Sequence, residues 1–153
     1  MIKVVGSVAG SGATYKMYSC DYLGQPSMDA LLKRIEEPGL TPDDVKEVRL
    51  RAGPNILEPL YQRPVNELEA KFSPKFGSSS ILLEGKAGLR EYTDEFVYSP
   101  RVQEMMRRVR TTHDSEIAGM GTEKMRSEVD VELDDGRVVR RVSEDARGTC
   151  TCR

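Results

Sequence analysis

The apolar residues between positions 26 and 39 are spaced like one face of a helix. They fall at i, i+3, i+4 and i+7, and they are Met28, Leu31, Leu32 and Ile35. Such a stripe is typical of a helix that packs one side against a core. Pro26 suits the first turn and Gly39 ends the pattern. The sequence therefore predicts an amphipathic helix between these two residues.

Two further helices are indicated by Ser-Pro pairs, which place an N-cap before a proline in the first helical position. One helix starts at Pro74 and is predicted to end near Gly85, and the other starts at Pro100. The apolar stripe of the last helix is Val102, Met105, Met106 and Val109. Its two methionines are therefore interpreted as core residues rather than as part of a cofactor site.

Alternating side chains predict strands in two parts of the chain. Residues 47–52 alternate charged and apolar side chains, which predicts a strand with one solvated face. Residues 127–144 contain Asp135-Gly136 between two alternating runs. This dipeptide is the strongest short-range signal for a hairpin with a two-residue type I′ turn.

A two-residue turn fixes the register of this hairpin. Leu133 then faces Val138, and Asp130 forms a cross-strand ion pair with Arg141. Arg140 interrupts the apolar face of the hairpin. Snorkelling of its side chain at the sheet edge explains this position about as well as contact with a ligand.

Helices and antiparallel strands are thus mixed without strict βαβ alternation. The predicted fold class is α+β, an antiparallel sheet with helices packed on one face. A chain of 153 residues is long enough for one domain with a core. We expect a flexible leader at residues 1–14, the domain at residues 15–148 and a tail at residues 149–153.

The glycines and serines of the leader invite comparison with a phosphate-binding loop. A Walker loop closes with Gly-Lys-Ser/Thr, whereas Gly12 is followed by Ala13 and Thr14. A dinucleotide-binding loop needs a third glycine where Tyr15 stands. The segment is therefore interpreted as a flexible leader and not as a phosphate site.

Composition and charge narrow the possible partners and location. The net charge of −2, from 23 basic and 25 acidic residues, makes nucleic acid an improbable partner. No apolar run approaches the roughly 20 residues of a membrane span. Three cysteines, an odd number without a disulfide framework, favour the reducing cytoplasm. Cys150 and Cys152 lack further metal ligands and are interpreted as part of the tail.

Several longer segments resemble one known family. "LEAKFSPKFGSSSILLEGKAGL" and "PRVQEMMRRVRTTHDSEI" are similar to the MmgE/PrpD family, which includes 2-methylcitrate dehydratase, cis-aconitate decarboxylase and iminodisuccinate epimerase. "KMYSC…P…D" and "V.V.L.DGRV…ARG" occur in the expected order, so the resemblance covers roughly residues 15–148. It is a resemblance to the family's C-terminal α+β lid domain, and nothing in the chain resembles the helical domain.

The resemblance implies a lyase, of the dehydratase kind, that acts on small polycarboxylates. Such reactions remove or deliver a proton beside a carboxylate, and the resemblance implies no cofactor and no metal. The helical domain supplies several of the family's catalytic groups, so we expect the chain to be inactive without one. The implied partners are a small polycarboxylate and a helical MmgE/PrpD-type domain, if one is encoded separately.

Two catalytic residues follow from the resemblance at the start of the domain. Lys16 matches the lysine of the family's "K.Y" segment, where it would hold a carboxylate; the alternative is an ordinary solvated lysine. Asp21 stands five positions later, where the family commonly has a reactive side chain. It could accept a proton, or serve only as a turn residue. Cys20 has no histidine near it in sequence to activate it, and Gln25 replaces a histidine often seen nearby.

Three candidate substrate-binding residues lie around the second helix start. Ser73 is the predicted N-cap, and Lys71 and Lys75 would add positive charge to a helix N-terminus, which suits carboxylate oxygens. The alternative is an ordinary capped and charged helix start. Phe76 stands where many family members have tyrosine. His113 follows the third helix in a polar exit loop and is interpreted as a surface residue.

The alternative function is a non-enzymatic interaction or oligomerisation module derived from the lid. The substitutions at Asp21, Gln25 and Phe76 favour this function for the isolated chain, whereas the resemblance itself favours an origin in the lyase. A lid without its helical domain exposes a contact face, so a homo-oligomer is expected.

Overall fold

The computed structural model of the chain describes residues 15–35, 41–57, 61–120 and 125–148. Within these ranges the helices are α1 (Gln25–Ile35), α2 (Pro54–Leu57), α3 (Glu67–Ala70), α4 (Pro74–Glu84), α5 (Asp94–Tyr98), α6 (Pro100–Arg108) and α7 (Ser115–Gly119). The strands are β1 (Val45–Ala52), β2 (Val109–His113), β3 (Ser127–Leu133) and β4 (Val138–Ser143). None of these helices is long and apolar enough to cross a membrane. The predicted leader, the tail and Gly39 lie outside the described residues.

The helices predicted from Ser-Pro pairs form where they were predicted. The Ser73 hydroxyl accepts a hydrogen bond from the Phe76 N–H at 3.2 Å, which caps α4. At the other end of α4, Gly85 has a φ of 67°, a left-handed conformation that glycine adopts without strain. Ser99 caps α6 in the same way, through the Val102 N–H.

The strands form one four-stranded sheet in the order β2-β1-β3-β4. β1 and β4 are each antiparallel to β3, whereas β1 and β2 are parallel, so the sheet is mixed rather than purely antiparallel. α1 packs against β3 and β4, α4 against β2, and α6 against β1 and β2. The predicted α+β class is confirmed.

Strand β2 was not predicted from the sequence. Val109 completes the apolar stripe of α6, but it is the first residue of β2 and pairs with Val48. The prediction of a loop around His113 is therefore wrong, because His113 is the last residue of β2 and pairs with Ala52. Its side chain is exposed, as a surface residue should be.

The loop of the β3–β4 hairpin has three residues rather than two. The Gly136 N–H donates to the Leu133 carbonyl at 2.9 Å, and the Leu133 N–H donates to the Arg137 carbonyl at 2.9 Å. Gly136 has a φ of 84°, as expected for the glycine that closes a three-residue loop. The predicted register is therefore wrong by one residue.

A shift of one residue moves the side chains of β4 to the opposite face of the sheet. Val138 pairs with Glu132 rather than with Leu133, and its side chain is 51% exposed. Arg140 lies opposite Asp130, the residue that was predicted to pair with Arg141. Arg140 therefore belongs to the charged outer face and does not interrupt an apolar one.

The outer face of the sheet is held by ion pairs around Glu128. Arg51 Nη2 lies 2.9 Å from Glu128 Oε2, Arg126 Nη2 lies 2.8 Å from Oε1, and Arg140 also donates to Oε2. The hydrogen bond from Arg126 is the main reason that the pKa of Glu128 is below its usual value. These pairs explain how the outer face of the sheet carries so many charged residues.

Phe76 of α4 is fully buried in the hydrophobic core. Its ring contacts Tyr92, with ring centroids 5.1 Å apart, and Phe96, at 6.1 Å in an edge-to-face arrangement. The next residue, Gly77, faces Met28 of α1, and a Cβ at Gly77 would lie 3.1 Å from Met28 Sδ. α1 and α4 therefore cross closely at this glycine.

Candidate functional site

Three of the five predicted site residues line one open groove of about 500 Å³. They are Lys16, Asp21 and Lys71. The remaining lining mixes polar and apolar side chains, namely Tyr18, Ser19, Cys20, Leu68, Phe72 and Leu89. The volume falls within the usual range of small-molecule sites. Two ammonium groups beside one carboxylate suit an anionic ligand that exchanges a proton.

The segment that carries Lys16 and Asp21 is held in place by backbone hydrogen bonds. The Ser19 N–H donates to the Ala87 carbonyl at 3.1 Å, and the Asp21 N–H donates to the Lys71 carbonyl at 2.8 Å. The second bond joins two of the predicted site residues directly through the main chain. Their distance therefore depends on backbone geometry and not on side-chain rotamers.

A hydrogen-bonded cluster of Tyr18, Asp29 and Arg147 anchors the same segment. The Tyr18 hydroxyl donates to Asp29 Oδ1 at 2.6 Å, and Arg147 Nη2 donates to the Tyr18 oxygen at 2.9 Å. Burial, followed by the Asp29 carboxylate, raises the pKa of Tyr18 well above its usual value. The hydroxyl thus stays protonated and continues to donate to Asp29 throughout the neutral range.

Lys71 and Ser73 are both engaged by their own helices. Lys71 Nζ lies 3.3 Å from Glu67 Oε1, one turn back in α3. Ser73 is buried, and its oxygen caps α4. A ligand would therefore compete with Glu67 for the Lys71 ammonium group, whereas Ser73 keeps a structural role whether or not a ligand binds.

Asp21, Lys71 and Ser73 also line a small adjoining cavity of about 10 Å³, which has room for about one water molecule. The polar groups that share it are the Cys20 thiol and the Tyr92 hydroxyl. The Tyr92 hydroxyl forms no hydrogen bond with any described residue. After burial, the Cys20 thiol is the group that most affects the pKa of Tyr92. Tyr92 precedes a helix and belongs to no sequence motif, so no local pattern indicates it as a site residue.

The Cys20 thiol is unreactive in this setting. Burial raises its pKa from an ordinary 9.0 to about 11, so the thiol is protonated at neutral pH. Its Sγ donates to the Asp21 carbonyl at 3.4 Å. Burial also raises the pKa of Tyr92 well above its usual value. Neither group is a nucleophile at pH 7.

Comparison of the sequence with models of known families identifies the family of the chain. A model of the MmgE/PrpD C-terminal domain matches residues 18–152. The chain belongs to the MmgE/PrpD family. A search of curated proteins found no significant match.

In this MmgE/PrpD domain, Gln25 supports the site without lining it. Its side chain is fully buried, and Oε1 accepts a hydrogen bond from the Met17 N–H at 3.1 Å. Nε2 has no partner within the part of the chain that the structure describes. Gln25 therefore anchors the residue next to Lys16. The residues that line the groove include no histidine.

Lys75 of the MmgE/PrpD domain lies away from the other predicted site residues. It lines a second groove together with Arg63, Arg107 and Arg110. Burial, and then the positive charges of Arg110 and Arg63, lower the pKa of Lys75. The helix start at Ser73-Pro74 thus separates two grooves, with Lys71 on one side and Lys75 on the other.

The family motifs include two residues whose pairing sequence reasoning missed. Asp29 lies in the segment "KMYSC…P…D" and Arg147 in "ARG". Their contact spans 118 positions, which no local pattern reveals. No group of three or more His, Cys, Asp or Glu side chains in the described ranges is arranged to hold a metal ion.

Proposed function

We propose that this chain forms the lid half of a site for small polycarboxylates in a lyase of the 2-methylcitrate dehydratase kind. A helical MmgE/PrpD-type domain would supply the other half. The observation that carries the proposal is the presence of Lys16, Asp21 and Lys71 on one groove. The proposed site uses no cofactor and no metal.

The groove residues divide the proposed chemistry between them. Lys16 is exposed and forms no ion pair with any described residue, so its ammonium group is free to bind a substrate carboxylate. Lys71 would bind a second carboxylate after leaving Glu67. Asp21 is the carboxylate in the groove that could accept the proton beside them. Water must be excluded for that transfer to be efficient, and in this proposal the helical domain would cover the open groove and exclude it.

An apolar rim supports docking of another domain. Leu68 is 63% exposed, Leu89 78% and Phe72 39%, and all three line the groove. Apolar side chains grouped around a polar site are typical of a surface that is covered in an assembly. The rim is also the observation that favours the second candidate function, a non-enzymatic interaction or self-association module.

We place either function in the cytoplasm, since Cys20 is a free thiol.

The test is an assay of 2-methylcitrate dehydration with and without a helical-domain partner. We expect no turnover by the chain alone, turnover by the pair, and loss of that turnover in Lys16→Ala. Lys33→Ala is the matched control, because Lys33 is an exposed lysine of α1 outside the groove. Turnover by the chain alone that Lys16→Ala abolishes would contradict the division of labour. Turnover by the pair that Lys16→Ala leaves unchanged would contradict the role of the groove.

A further inference from the structure

The groove around Lys75 is built by four separate parts of the fold. Lys75 belongs to the first turn of α4, Arg107 to the last turn of α6 and Arg110 to β2, while Arg63 precedes α3. The groove has a volume of about 490 Å³, and Met106 contributes to its wall. It shares no lining residue with the groove of Lys16 and Lys71.

The groove carries four cationic side chains, and its lining contains no acidic residue. Arg107 Nη1 lies 3.0 Å from Glu104, and Arg110 Nε lies 3.6 Å from Glu47, so these two charges are partly balanced from outside the groove. Lys75 and Arg63 form no ion pair with any residue that the structure describes.

Like charges in a concave site repel one another, and the lowered pKa of Lys75 reflects this repulsion in addition to burial. A bound anion would replace repulsion among Arg63, Lys75 and Arg110 with attraction. Excess positive charge confined to a concave surface also concentrates anions from solution.

We propose that this groove binds a small polyanion that carries at least two phosphate or carboxylate groups. Guanidinium groups contact the paired oxygens of such ligands through two parallel hydrogen bonds, and an ammonium group acts as a point charge. Arg63 and Lys75 provide one contact of each kind without first breaking an internal ion pair. The volume is suited to a ligand of small-metabolite size. The inference does not depend on the lyase activity proposed above.

The experiment uses the 153-residue chain and inorganic pyrophosphate as the probe, with citrate in a parallel titration. Binding is followed by calorimetry and by backbone amide NMR shifts at low ionic strength. We expect shifts at residues 63, 75, 107 and 110, and weaker binding as salt is added. A response to pyrophosphate alone assigns phosphate as the ligand chemistry, and a response to both probes at these residues assigns the shared polyanionic character.

Single substitutions test the two unpaired cations. Lys75→Gln and Arg63→Gln should each weaken pyrophosphate binding about two- to five-fold, as expected for loss of one exposed ion pair. Lys33→Gln and Arg90→Gln are matched controls on exposed residues outside both grooves, and they should leave affinity unchanged. Arg63 is exposed, so Arg63→Gln does not endanger folding. Absence of binding at low salt, equal weakening in the controls, or shifts at residues 16 and 71 instead would overturn the proposal.

Discussion

Asp29 and Arg147 are joined by two hydrogen bonds across 118 positions of sequence. The Arg147 backbone N–H donates to Asp29 Oδ2 at 2.6 Å, and Nε donates to Oδ1 at 2.8 Å. The Asp29 side chain is 1% exposed. Because Tyr18 donates to the same carboxylate, this contact ties the segment of Lys16 to both α1 and the end of the described chain.

Removal of the Asp29 charge should destabilise the fold and release this segment. Asp29→Asn replaces one of two acceptor oxygens with an NH2 group, although both oxygens accept hydrogen bonds from Arg147 or Tyr18. At least one of these donors then loses its acceptor, which should lower the free energy of unfolding by about 2 kcal/mol or more. Urea denaturation measures the loss. Limited proteolysis should also show earlier cleavage near residue 16.

Asp43→Asn is the control for Asp29→Asn, because Asp43 is exposed in a surface turn. Its effect should stay within about 0.5 kcal/mol. Similar losses in both variants would show that Asp29 has no special role as an anchor.

The three-residue hairpin loop makes Gly136 sensitive to substitution. Gly136→Ala places a Cβ on a residue with a φ of 84°, where no neighbouring atom lies within 4 Å of that Cβ. The cost should therefore be backbone strain alone, about 1–2 kcal/mol. Thermal unfolding of the variant measures it.

Gly119→Ala provides the comparison for Gly136→Ala. Gly119 lies in α7 with open space around its Cβ position and without a positive φ. Alanine there should be neutral or stabilising by up to about 1 kcal/mol. Cross-strand NMR contacts between Val131 and Val139 would support the three-residue loop, in which these residues are paired. Contacts between Val131 and Arg140 would instead indicate a two-residue turn.

Burial of the Cys20 thiol should make stability depend on alkaline pH. The thiolate is disfavoured in the folded chain, with a pKa of about 11 against an ordinary 9.0. The folded state therefore holds the proton more tightly than the unfolded state. The contribution of this thiol is complete below about pH 9 and is lost as the pH rises towards 11, by an amount on the order of 2 kcal/mol.

Comparison with Cys20→Ala isolates this dependence, since the other groups that titrate at high pH are common to both proteins. The natural chain should lose stability more steeply between pH 9 and 11 than the variant. Alkylation by iodoacetamide, resolved by peptide mapping from Cys150 and Cys152, should be slow at Cys20 at pH 7.5. Rapid modification there, with parallel stability curves, would mean that the thiol is solvated.

The sequence predicted those elements whose signals are local. Ser73 and Gly85 mark both ends of α4, because a side-chain cap and a left-handed glycine act within one turn. β2 was missed because Val109 fits the helical stripe of α6, and only its pairing with Val48 distinguishes a strand from another helical turn. Asp135-Gly136 indicated the hairpin correctly, but the preceding Asp134 permits a loop of either length.

The candidate site was predictable to a similar extent. The family resemblance indicated Lys16, and the charged helix start indicated Lys71; the chain brings both to one groove. Lys75 was grouped with them because it is close in sequence to Ser73. It lies in a different groove, with Arg63 and Arg110. Which side of a helix start a lysine occupies depends on packing against distant segments, so sequence spacing alone does not decide it.

The proposed site should bind citrate weakly even without catalysis. Lys16 and Lys71 are its two cations, and each exposed ion pair contributes about 0.2–1 kcal/mol, so we expect a dissociation constant no tighter than about 1 mM. Amide NMR shifts near residues 16–21 and 71 should follow the titration and weaken with added salt, because exposed charges are screened over about 8–10 Å.

The ion pair of Lys71 with Glu67 gives this binding prediction a sharper form. Since Glu67 Oε1 lies 3.3 Å from Lys71 Nζ, the carboxylate of Glu67 competes with citrate for the same ammonium group. Glu67→Gln should therefore tighten citrate binding about two- to five-fold, whereas Lys16→Ala should weaken it by a similar factor. Glu95→Gln removes an exposed carboxylate outside the groove and controls for the change in net charge. If Glu95→Gln and Glu67→Gln tighten binding equally, net charge and not release of Lys71 governs the affinity, and Lys71 is then an ordinary solvated lysine.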